Sequence, residues 1–464
     1  MSLRLPRVVV AGTHSGVGKT TVATGLMAAL AARGQRVAGF KVGPDYIDPG
    51  YHTLATGRPS RNLDAFLSGP ELVSRIVVAG GASADVAVVE GVMGLFDGAS
   101  RPLPDPGPVD PAPGDPASTA HVAKLLDAPV VLVVDAGAMA RSAAALVHGY
   151  ATFDPALRFA GVIANRVGSE RHAGLLREAL EGTGVPLLGV VHHGDDLVTP
   201  SRHLGLVPAQ ERAGAARAAV AALGRRMAAG IDLDAVLAVA RTAPPLHAAP
   251  WAPPPAAGGA RARIAVAGGS AFSFAYPENR ELLAAAGAEL VDVDPTIDEA
   301  LPPGTDGLYL GGGFPETHAD ALAANAPLRA AVAAHAAAGR PVHAECGGLL
   351  YLCRTLDGRP MCGVVPADAT IAGRRTLGYR AATAANGSFL WPAGAVVRGH
   401  EFHYSAVTPP AGPGPAWRHD DGRREGHVTG NVHASYLHTH WAATPAVAAR
   451  FVAAAARSRE AVRA

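Results

Sequence analysis

The first stretch whose residue types could do chemistry is AGTHSGVGKTT, residues 11–21, which follows the apolar run 8–10. Glycines in such a turn let backbone N–H groups point at phosphate oxygens, while a lysine adds positive charge and a hydroxyl can bind Mg²⁺. Gly12 lies six positions before Gly18, so the spacing is G-x5-G-K-T instead of the standard G-x4-G-K-T. We predict a phosphate-binding loop with a displaced first glycine. Its predicted contact residues are Gly12, Ser15, Gly16, Val17, Gly18, Lys19, Thr20 and Thr21.

Several polar residues lie where apolar runs of this region end. Asp45 and Asp48 follow the second run, in KVGPDYIDPGYH, and Glu90 ends the third. A magnesium–phosphate site needs carboxylates at such positions. Asp48 precedes a proline and could equally be a turn residue, whereas Glu90 follows apolar residues, where a carboxylate is costly to bury without a cation to face. Asn165 ends the fifth run, where its amide could contact an adenine edge or cap the next helix.

A second chemical pattern is HAECGGLLYL, residues 343–352, which places Cys346 between an apolar strand and an apolar helical segment. A nucleophile on such a strand–turn–helix elbow is held exposed, and the helix N-terminus and adjacent amides lower its pKa and stabilise an oxyanion. Cys346 is therefore the candidate nucleophile. Cys353 and Cys362 lack an elbow and are expected to be buried structural cysteines.

A thiol nucleophile needs a base, for which histidine is the usual residue. His433, His438 and His440 cluster in NVHASYLHTHW, and only one of them need serve. A zinc site is disfavoured because no cysteine or carboxylate stands nearby at ligand spacing. The segment HEFH, residues 400–403, also lacks the spacing of the HExxH motif.

Three consecutive glycines occur in LGGGFPE, residues 310–316, after an apolar run. Such a turn is suited to presenting backbone N–H donors to an oxyanion, and we predict this role for Gly312 and Gly313. With the cysteine and a histidine, this turn completes a nucleophile, base and oxyanion set.

The elements that position these residues are alternating apolar runs and Ala/Leu-rich segments. Continuous apolar strands separated by helices are typical of parallel sheets covered on both faces, so we predict an α/β fold with two such domains. The predicted strands are 8–12, 36–42, 85–91, 129–137 and 159–167 in the first half, and 263–269, 288–294, 306–313 and 340–346 in the second. A Pro/Ala-rich linker at 243–260 separates domains at 1–242 and 261–464, and the Pro/Asp/Gly-rich segment 101–117 predicts a surface loop.

The composition favours a small-molecule enzyme. The 464 residues carry 40 Lys+Arg and 39 Asp+Glu, so no global charge favours nucleic acid or an anionic membrane as a partner. We expect a cytoplasmic protein without a membrane partner, because the first apolar run is too short for a signal peptide and no run reaches about 18 residues. Three cysteines close together cannot form a disulfide framework for the chain.

Several motifs, in this order, resemble those of the cobyrinic acid a,c-diamide synthases of cobalamin biosynthesis, a family that includes the hydrogenobyrinic acid enzymes. They are GTHSGVGKTT, KVGPDYIDPGYH, VVEGVMGLFDG, SRHLGLVPAQE, LYLGGGFPE, AECGGLLYL, GHEFHYS and ASYLHTHW. The resemblance spans nearly the whole chain. It implies an N-terminal P-loop domain of the dethiobiotin-synthetase type, which accounts for the displaced glycine, followed by a class I glutamine amidotransferase domain.

The resemblance implies roles for the C-terminal residues. Cys346 would attack the side-chain amide of L-glutamine to give a γ-glutamyl thioester and ammonia. His438 would be its base, because it occupies the histidine of the family's SYLH block. Many class I amidotransferases carry a glutamate two residues after that histidine, where this chain has His440. The third member of a triad is therefore missing or comes from elsewhere.

For the N-terminal half, the resemblance implies ATP as co-substrate and Mg²⁺ as metal ion. The γ-phosphoryl group would pass to a carboxylate of the corrinoid substrate, and ammonia would displace phosphate from the acyl phosphate. The implied residues are Thr20, Asp45 and Glu90 for the metal, Tyr46 for the substrate, Asp48 and Asp97 for metal or substrate, and Asn165 for ATP.

Three other functions compete with this interpretation. A P-loop switch ATPase with an inactive amidotransferase-like domain would carry a second lysine early in the loop, but THSG has none, and it would not need Cys346. Cobyric acid synthases, which amidate other carboxylates of the macrocycle, have YLHG and an aromatic residue where this chain has YLHTHW. Amidation of nickel-sirohydrochlorin is the third. The sequence does not decide whether the macrocyclic substrate contains cobalt. A homodimer is compatible with domain faces that close on a large ligand.

Overall fold

The chain divides into two compact units, Met1–Ala252 and Pro253–Ala464. A computed structural model describes residues 2–99, 116–194, 201–202, 205–206, 213–255 and 259–463. Most of the loop predicted at 101–117 therefore lies outside the described residues. No helix within these ranges is long and apolar enough to cross a membrane.

The boundary between the units falls inside the predicted linker, but the first part of that segment is packed. Leu246 forms an isolated β-bridge with Leu3, and the N–H of Trp251 donates to the carbonyl of Arg75 (2.9 Å). Leu246 and Trp251 are both buried. These contacts attach residues 243–252 to the first unit, so the segment is only in part a linker.

The first unit is built on a seven-stranded parallel sheet. Its strands are β1 (Arg7–Gly12), β2 (Val37–Val42), β3 (Arg61–Leu63), β4 (Val86–Glu90), β5 (Val130–Asp135), β6 (Phe159–Val167) and β7 (Leu187–His192); β8 (Ser201–Arg202) and β9 (Gly205–Leu206) form a separate pair. The helices are α1 (Lys19–Ala32), α2 (Asp48–Thr56), α3 (Pro70–Gly81), α4 (Thr119–Leu125), α5 (Ser142–Phe153), α6 (Glu170–Glu181), α7 (Ala213–Gly230) and α8 (Leu233–Arg241). The strand order is β3-β2-β4-β1-β5-β6-β7.

The five strands predicted for this half are confirmed, and β1, β2 and β4 are buried over their whole length. Such burial is expected of apolar strands that face helices on both sides. The strands β3 and β7 were not predicted. Strand β3 is only three residues long and carries Arg and Asn. Because β4 lies between β1 and β2, the carboxyl ends of these three strands lie at one edge of the sheet.

The second unit contains two sheets. Its strands are β10 (Ala262–Ala267), β11 (Ala288–Val293), β12 (Gly307–Leu310), β13 (Val342–Glu345), β14 (Thr355–Leu356), β15 (Arg359–Pro360), β16 (Asp368–Ala384), β17 (Val396–Thr408), β18 (Trp417–His419), β19 (Arg424–Glu425), β20 (His427–Thr429), β21 (Val432–Ser435) and β22 (His438–Thr439). The helices are α9 (Pro277–Ala285), α10 (Ala319–Ala324), α11 (Ala326–Ala337), α12 (Gly347–Leu352) and α13 (Ala446–Arg463), with 3₁₀ turns at Pro315–His318 and Trp441–Ala443.

The main sheet of this unit has the order β11-β10-β12-β13-β21-β20, parallel except for β20. All four predicted strands are confirmed in it. The second sheet, β15-β14-β16-β17-β22 with β18 paired to β16 and β19 paired to β18, was not predicted. Its long hairpin β16–β17 is antiparallel and interrupted by an irregularity between Ile371 and Thr376. The first strand of this hairpin, β16, mixes Ala, Gly and Arg with few β-branched residues, so it lacks the alternation typical of a strand.

Candidate functional site

The phosphate-binding loop connects β1 to α1, which begins at Lys19. Gly16 and Gly18 have positive φ (86° and 95°), a conformation that favours glycine. The ammonium of Lys19 donates to the carbonyl of His14 (3.0 Å), so it lies back across the loop. Burial lowers the pKa of Lys19 to about 8, the charge of Lys41 acts in the same direction, and nearby carboxylates oppose both. The loop therefore has the form expected of a phosphate site.

Two side chains of β6 hold this loop in place. The amide nitrogen of Asn165 donates to the carbonyl of Val17 (2.8 Å), and the guanidinium of Arg166 donates to the carbonyl of Gly16 (2.8 Å). Ser169 caps α6, so the helix-capping alternative for Asn165 is wrong. An adenine contact by Asn165 stays a prediction. No sequence pattern indicated Arg166, whose contact depends on β6 lying next to the loop.

A cluster of buried charges lies beside the loop. The hydroxyl of Thr20 donates to Glu90 Oε1 (2.6 Å) and to Asp48 Oδ2 (3.2 Å). The ammonium of Lys41 lies between the same two carboxylates, 2.7 Å from Asp48 Oδ2 and 2.8 Å from Glu90 Oε1. Lys41, Asp48 and Glu90 are 3%, 8% and 0% exposed. Lys41 is thus the protein's own cation for the strand-end carboxylate, and the sequence analysis missed it.

The environment of Glu90 keeps it ionised. Its Oε2 is 2.6 Å from Nε2 of His52, whose Nδ1 is 3.3 Å from the hydroxyl of Ser60. Burial alone would raise the pKa of Glu90, but the charge of Lys41 and the hydrogen bond with His52 outweigh burial and hold the pKa well below its usual value. For Asp48, burial and its acidic neighbours raise the pKa well above normal against the opposing Lys41.

The structure distinguishes the two aspartates of the PDYID segment. Asp45 Oδ1 accepts the backbone N–H of Ile47 (2.8 Å) and of Asp48 (2.9 Å), so its carboxylate shapes the turn before α2. Of the predicted ligand set, Thr20 and Glu90 are in contact, whereas Asp48 and not Asp45 is the carboxylate beside them. The turn role proposed for Asp48 belongs to Asp45 instead.

The two remaining substrate candidates lie at the rim of this region. Tyr46 is half-buried in the segment between β2 and α2, whereas Asp97 is exposed in the segment after β4. The Oδ2 of Asp97 accepts the N–H of Gly94 (2.9 Å). A substrate role for Tyr46 and Asp97 stays a prediction.

The oxygen atoms of Thr20, Asp48 and Glu90 fit a magnesium ion, which prefers hard oxygen ligands. Within the described residues, no three His, Cys, Asp or Glu side chains are grouped as a metal site requires. The protein would therefore supply only part of the ligand shell, as is usual when phosphate oxygens and water supply the rest.

In the second unit, Cys346 lies between β13 and α12. Its backbone has φ 48° and ψ −100°, which is rare for a residue with a side chain, and its N–H donates to the carbonyl of Ser435 (2.8 Å). The side chain is 5% exposed. Burial raises the thiol pKa above normal, nearby Glu316 adds to this, and the N–H of Gly347 opposes it. The elbow is confirmed, but the predicted exposure and lowered pKa are wrong.

The other two cysteines belong to the core, as predicted. Cys353 is 0% exposed and Cys362 is 7% exposed, and both are free thiols. Burial raises the pKa of each to about 12. Neither of these two cysteines lies on a strand–turn–helix elbow with a histidine base, so Cys346 is the candidate nucleophile among the three.

Of the three clustered histidines, His438 is the one at the glycine turn. A Cβ atom on Gly312 would lie 2.4 Å from Cε1 and 3.3 Å from Nε2 of His438. A Cβ atom on Gly347 would lie 3.0 Å from the nitrogen of Gly313. The turn therefore packs against both the His438 ring and the residue that follows Cys346. Burial lowers the pKa of His438 to about 4, which leaves the ring neutral and able to accept a proton.

The other two histidines are buried in different surroundings. His433 lies on β21 between the rings of His343 (5.8 Å) and Trp417 (5.3 Å). His440 packs 4.4 Å from the ring of Tyr276. These contacts give His433 and His440 structural positions, so they do not compete with His438 for the base.

The two predicted oxyanion donors differ in the structure. The N–H of Gly312 donates to the carbonyl of Phe274 (3.1 Å), which occupies it, so Gly312 is wrong as an oxyanion donor. The nitrogen of Gly313 faces Gly347, and the N–H of Gly347 acts on the Cys346 thiol. Gly313 and Gly347 are therefore the better candidate pair. Gly347 was missed, although a donor directly after a nucleophile on an elbow is a known arrangement.

Comparisons with known proteins agree with this arrangement. The chain matches the family model described as CobQ/CobB/MinD/ParA nucleotide binding domain at residues 8–207, and the CobB/CobQ-like glutamine amidotransferase domain at 263–446. It is 55% identical to hydrogenobyrinate a,c-diamide synthase of Streptomyces coelicolor, over 97% of each chain. The Mycobacterium bovis enzyme of that name is 52% identical, over 98% of this chain and 99% of that one. Cobyrinate a,c-diamide synthase of Syntrophotalea carbinolica is 46% identical, over 96% and 98%.

A P-loop α/β unit joined to a glutamine amidotransferase unit defines a glutamine-dependent, amide-forming ligase. The alternative of a P-loop switch protein does not account for relatives matched along nearly the whole chain. The chain belongs to the family of hydrogenobyrinate and cobyrinate a,c-diamide synthases.

The packing of Gly312 against His438 predicts the effect of a methyl group at this position. We expect Gly312→Ala to displace the His438 ring and lower glutamine hydrolysis by about 10²-fold, because a shift of about 1 Å at a catalytic group can cost that much. Gly373→Ala in β16, where a Cβ meets nothing within 4 Å, is the matched control. Steady-state release of glutamate checks the prediction, and equal rates for both variants would contradict it.

The buried charge cluster predicts a strong effect of removing Lys41. Lys41→Met leaves Asp48 and Glu90 without their cation, and we expect a loss of about 3–5 kcal/mol in the free energy of unfolding. Lys41 is the strongest influence that lowers the pKa of Glu90, so we expect this pKa to rise in the variant. A folded-state pKa above the unfolded value makes the folded variant bind more protons, and its stability then falls as pH rises. Urea unfolding at several pH values measures this.

The matched control for Lys41→Met is Arg36→Met, because Arg36 forms an exposed pair with Asp85. We expect a loss below about 1 kcal/mol for this variant, as is usual for surface ion pairs. Equal losses in the two variants would show that burial of the Lys41 cluster has no special cost.

Proposed function

We propose that this enzyme uses ATP and glutamine to convert the a and c side-chain carboxylates of hydrogenobyrinate or cobyrinate to amides. The observation that carries the proposal is one chain with both a phosphate loop beside a carboxylate cluster and a cysteine elbow beside a histidine. The first site suits activation of a carboxylate, and the second suits release of ammonia. The names of the relatives support the macrocyclic substrate.

The first unit would activate the substrate, because a carboxylate is a poor acyl donor to ammonia. A substrate carboxylate oxygen attacks the γ-phosphorus of ATP, the bond to the ADP oxygen breaks, and an acyl phosphate forms. Lys19 and the loop amides hold the phosphates. Mg²⁺, held by Thr20, Asp48 and Glu90, would supply positive charge to the phosphate oxygens. Ammonia then attacks the acyl carbon and phosphate leaves.

The second unit would supply the ammonia. Cys346 passes its proton to His438 as its sulfur attacks the side-chain carbonyl of glutamine, and the amides of Gly313 and Gly347 stabilise the oxyanion. The proton on His438 then passes to the leaving nitrogen, which departs as ammonia. Water hydrolyses the remaining γ-glutamyl thioester to glutamate and restores the thiol. The neutral state of both groups in the free protein suits this exchange of a single proton.

The proposal predicts that glutamine and ammonia are separable nitrogen sources. We expect Cys346→Ala to lose glutamine-dependent amidation and to keep amidation from added ammonium, because only the first route needs the thiol. Cys353→Ala, which removes a buried cysteine outside the elbow, should keep both routes. The assay follows glutamate, ADP and product mass. Hydrolysis of ATP with glutamine and corrinoid unchanged would favour the switch ATPase.

We further propose that the metal-free macrocycle is the preferred substrate. Three relatives named for hydrogenobyrinate are 52–55% identical to this chain, whereas three named for cobyrinate are 41–46% identical. We expect a higher kcat/KM with hydrogenobyrinate than with cobyrinate, when product mass is followed under identical ATP and glutamine concentrations. A higher value with cobyrinate would overturn this preference and leave the amidation itself intact.

A further inference from the structure

We infer that Glu345 is the carboxylate that positions His438 for glutamine hydrolysis, in place of the residue two positions after the histidine. The inference rests on the proposed roles of Cys346 and His438. It assigns a function to the residue directly before the nucleophile. Glu345 would act through His438 and not on glutamine, so it is a positioning residue.

The contacts of Glu345 hold both the ring and the backbone of the histidine segment. Glu345 is the last residue of β13 and is 1% exposed. Its Oε1 accepts the N–H of Thr439 (3.2 Å) and the hydroxyl of Thr439 (2.9 Å). Its Oε2 lies 3.9 Å from Nδ1 of His438. One carboxylate therefore fixes the residue that follows His438 and faces the ring itself.

The orientation of the ring fits this role. Nε2 and Cε1 of His438 face the turn at Gly312, which also packs against the residue after Cys346, while Nδ1 faces Glu345. In nucleophile–base–carboxylate sites, the carboxylate holds the ring nitrogen that is not the base. A separation of 3.9 Å exceeds a hydrogen bond, but such contacts are often long without substrate and shorten in the substrate complex.

Other buried carboxylates nearby have different partners. His440 occupies the position two residues after His438, and its Nε2 lies 3.5 Å from Oε2 of Glu278 on α9. Glu401 is bound by the guanidinium groups of Arg380 (2.6 Å) and Arg423 (2.8 Å). Glu401 also raises the pKa of His438, but less than Glu345 does. Glu345 is therefore the carboxylate with the right geometry.

The charges around His438 agree with the geometry. Burial lowers the pKa of His438, and the nearby Glu345 is the strongest opposing charge. In the described part of the chain, other ionisable groups near the ring include His343 on β13 and His400, Glu401 and His403 on β17. Burial would raise the pKa of Glu345, but its contacts with His343, His438 and Thr439 lower it, so it is ionised at neutral pH. A negative charge at Nδ1 stabilises the imidazolium that forms when His438 takes the thiol proton.

Glu345→Gln in the full chain tests the inference, because it keeps the size of the side chain and removes its charge. We expect the kcat of glutamine hydrolysis to fall on the order of 10- to 100-fold, a part of what general base catalysis contributes. The KM for glutamine should stay within about twofold, since Glu345 does not touch the substrate. Amidation from added ammonium should be unchanged.

Glu278→Gln is the matched control, since it also removes a fully buried carboxylate near a histidine of the same segment. We expect this variant to keep its kcat for glutamine. If Glu345→Gln does not fold, as judged by thermal unfolding, Glu345→Asp keeps the charge but withdraws it from Nδ1 and should also lower kcat at constant KM. Wild-type kcat in a folded Glu345 variant, or equal losses in both Gln variants, would overturn the inference.

Wild-type enzyme and Cys346→Ala are measured in the same experiment. If the wild type does not hydrolyse glutamine, or if Cys346→Ala still does, the proposed function fails and the role of Glu345 fails with it. If both behave as proposed and the Glu345 variants keep full kcat, only the positioning role is wrong. The two failures are therefore distinguishable.

Discussion

The first unit depends on the pairing of one buried cation with two buried carboxylates. Lys41, Asp48 and Glu90 come from β2, α2 and β4, and none could be buried without the others at acceptable cost. The same carboxylates accept the hydroxyl of Thr20, at the start of α1. Neutralising charge at the strand ends thereby also fixes the phosphate loop against the sheet. The carboxylate oxygens remain suited to share a divalent cation with a nucleotide.

In the second unit, close packing and not charge neutralisation positions the candidate catalytic residues. Only a glycine at position 312 allows the His438 ring to lie against the turn, and the rare backbone conformation of Cys346 fixes the thiol between strand and helix. Burial keeps thiol and imidazole neutral in the free protein. Transfer of the thiol proton to the imidazole would form an ion pair that needs stabilisation. Backbone amides near the sulfur and Glu345 near the ring are placed to stabilise it.

Residue spacing predicted the local segment of each site but only some of the residues around it. The phosphate loop and the cysteine elbow were found because each is a short segment between a strand and a helix. Their partners were found only in part. Asp45 and Asp48 lie three residues apart in one turn, and spacing could not decide which of them faces Thr20. Likewise, Gly312 and Gly313 are adjacent, but a bridge to Phe274 occupies only the first amide.

By itself the sequence determined the α/β class, nine strands of the two main sheets, the phosphate loop, the cysteine elbow and the family, because these depend on residues close together in the chain. Only the tertiary structure decided the partners. Lys41 reaches Glu90 across 49 positions, Glu345 reaches Thr439 across 94, and Asn165 reaches Val17 across 148. Such contacts follow from which strands are neighbours and in what register, and parallel strands are paired through long connections whose order no local pattern records.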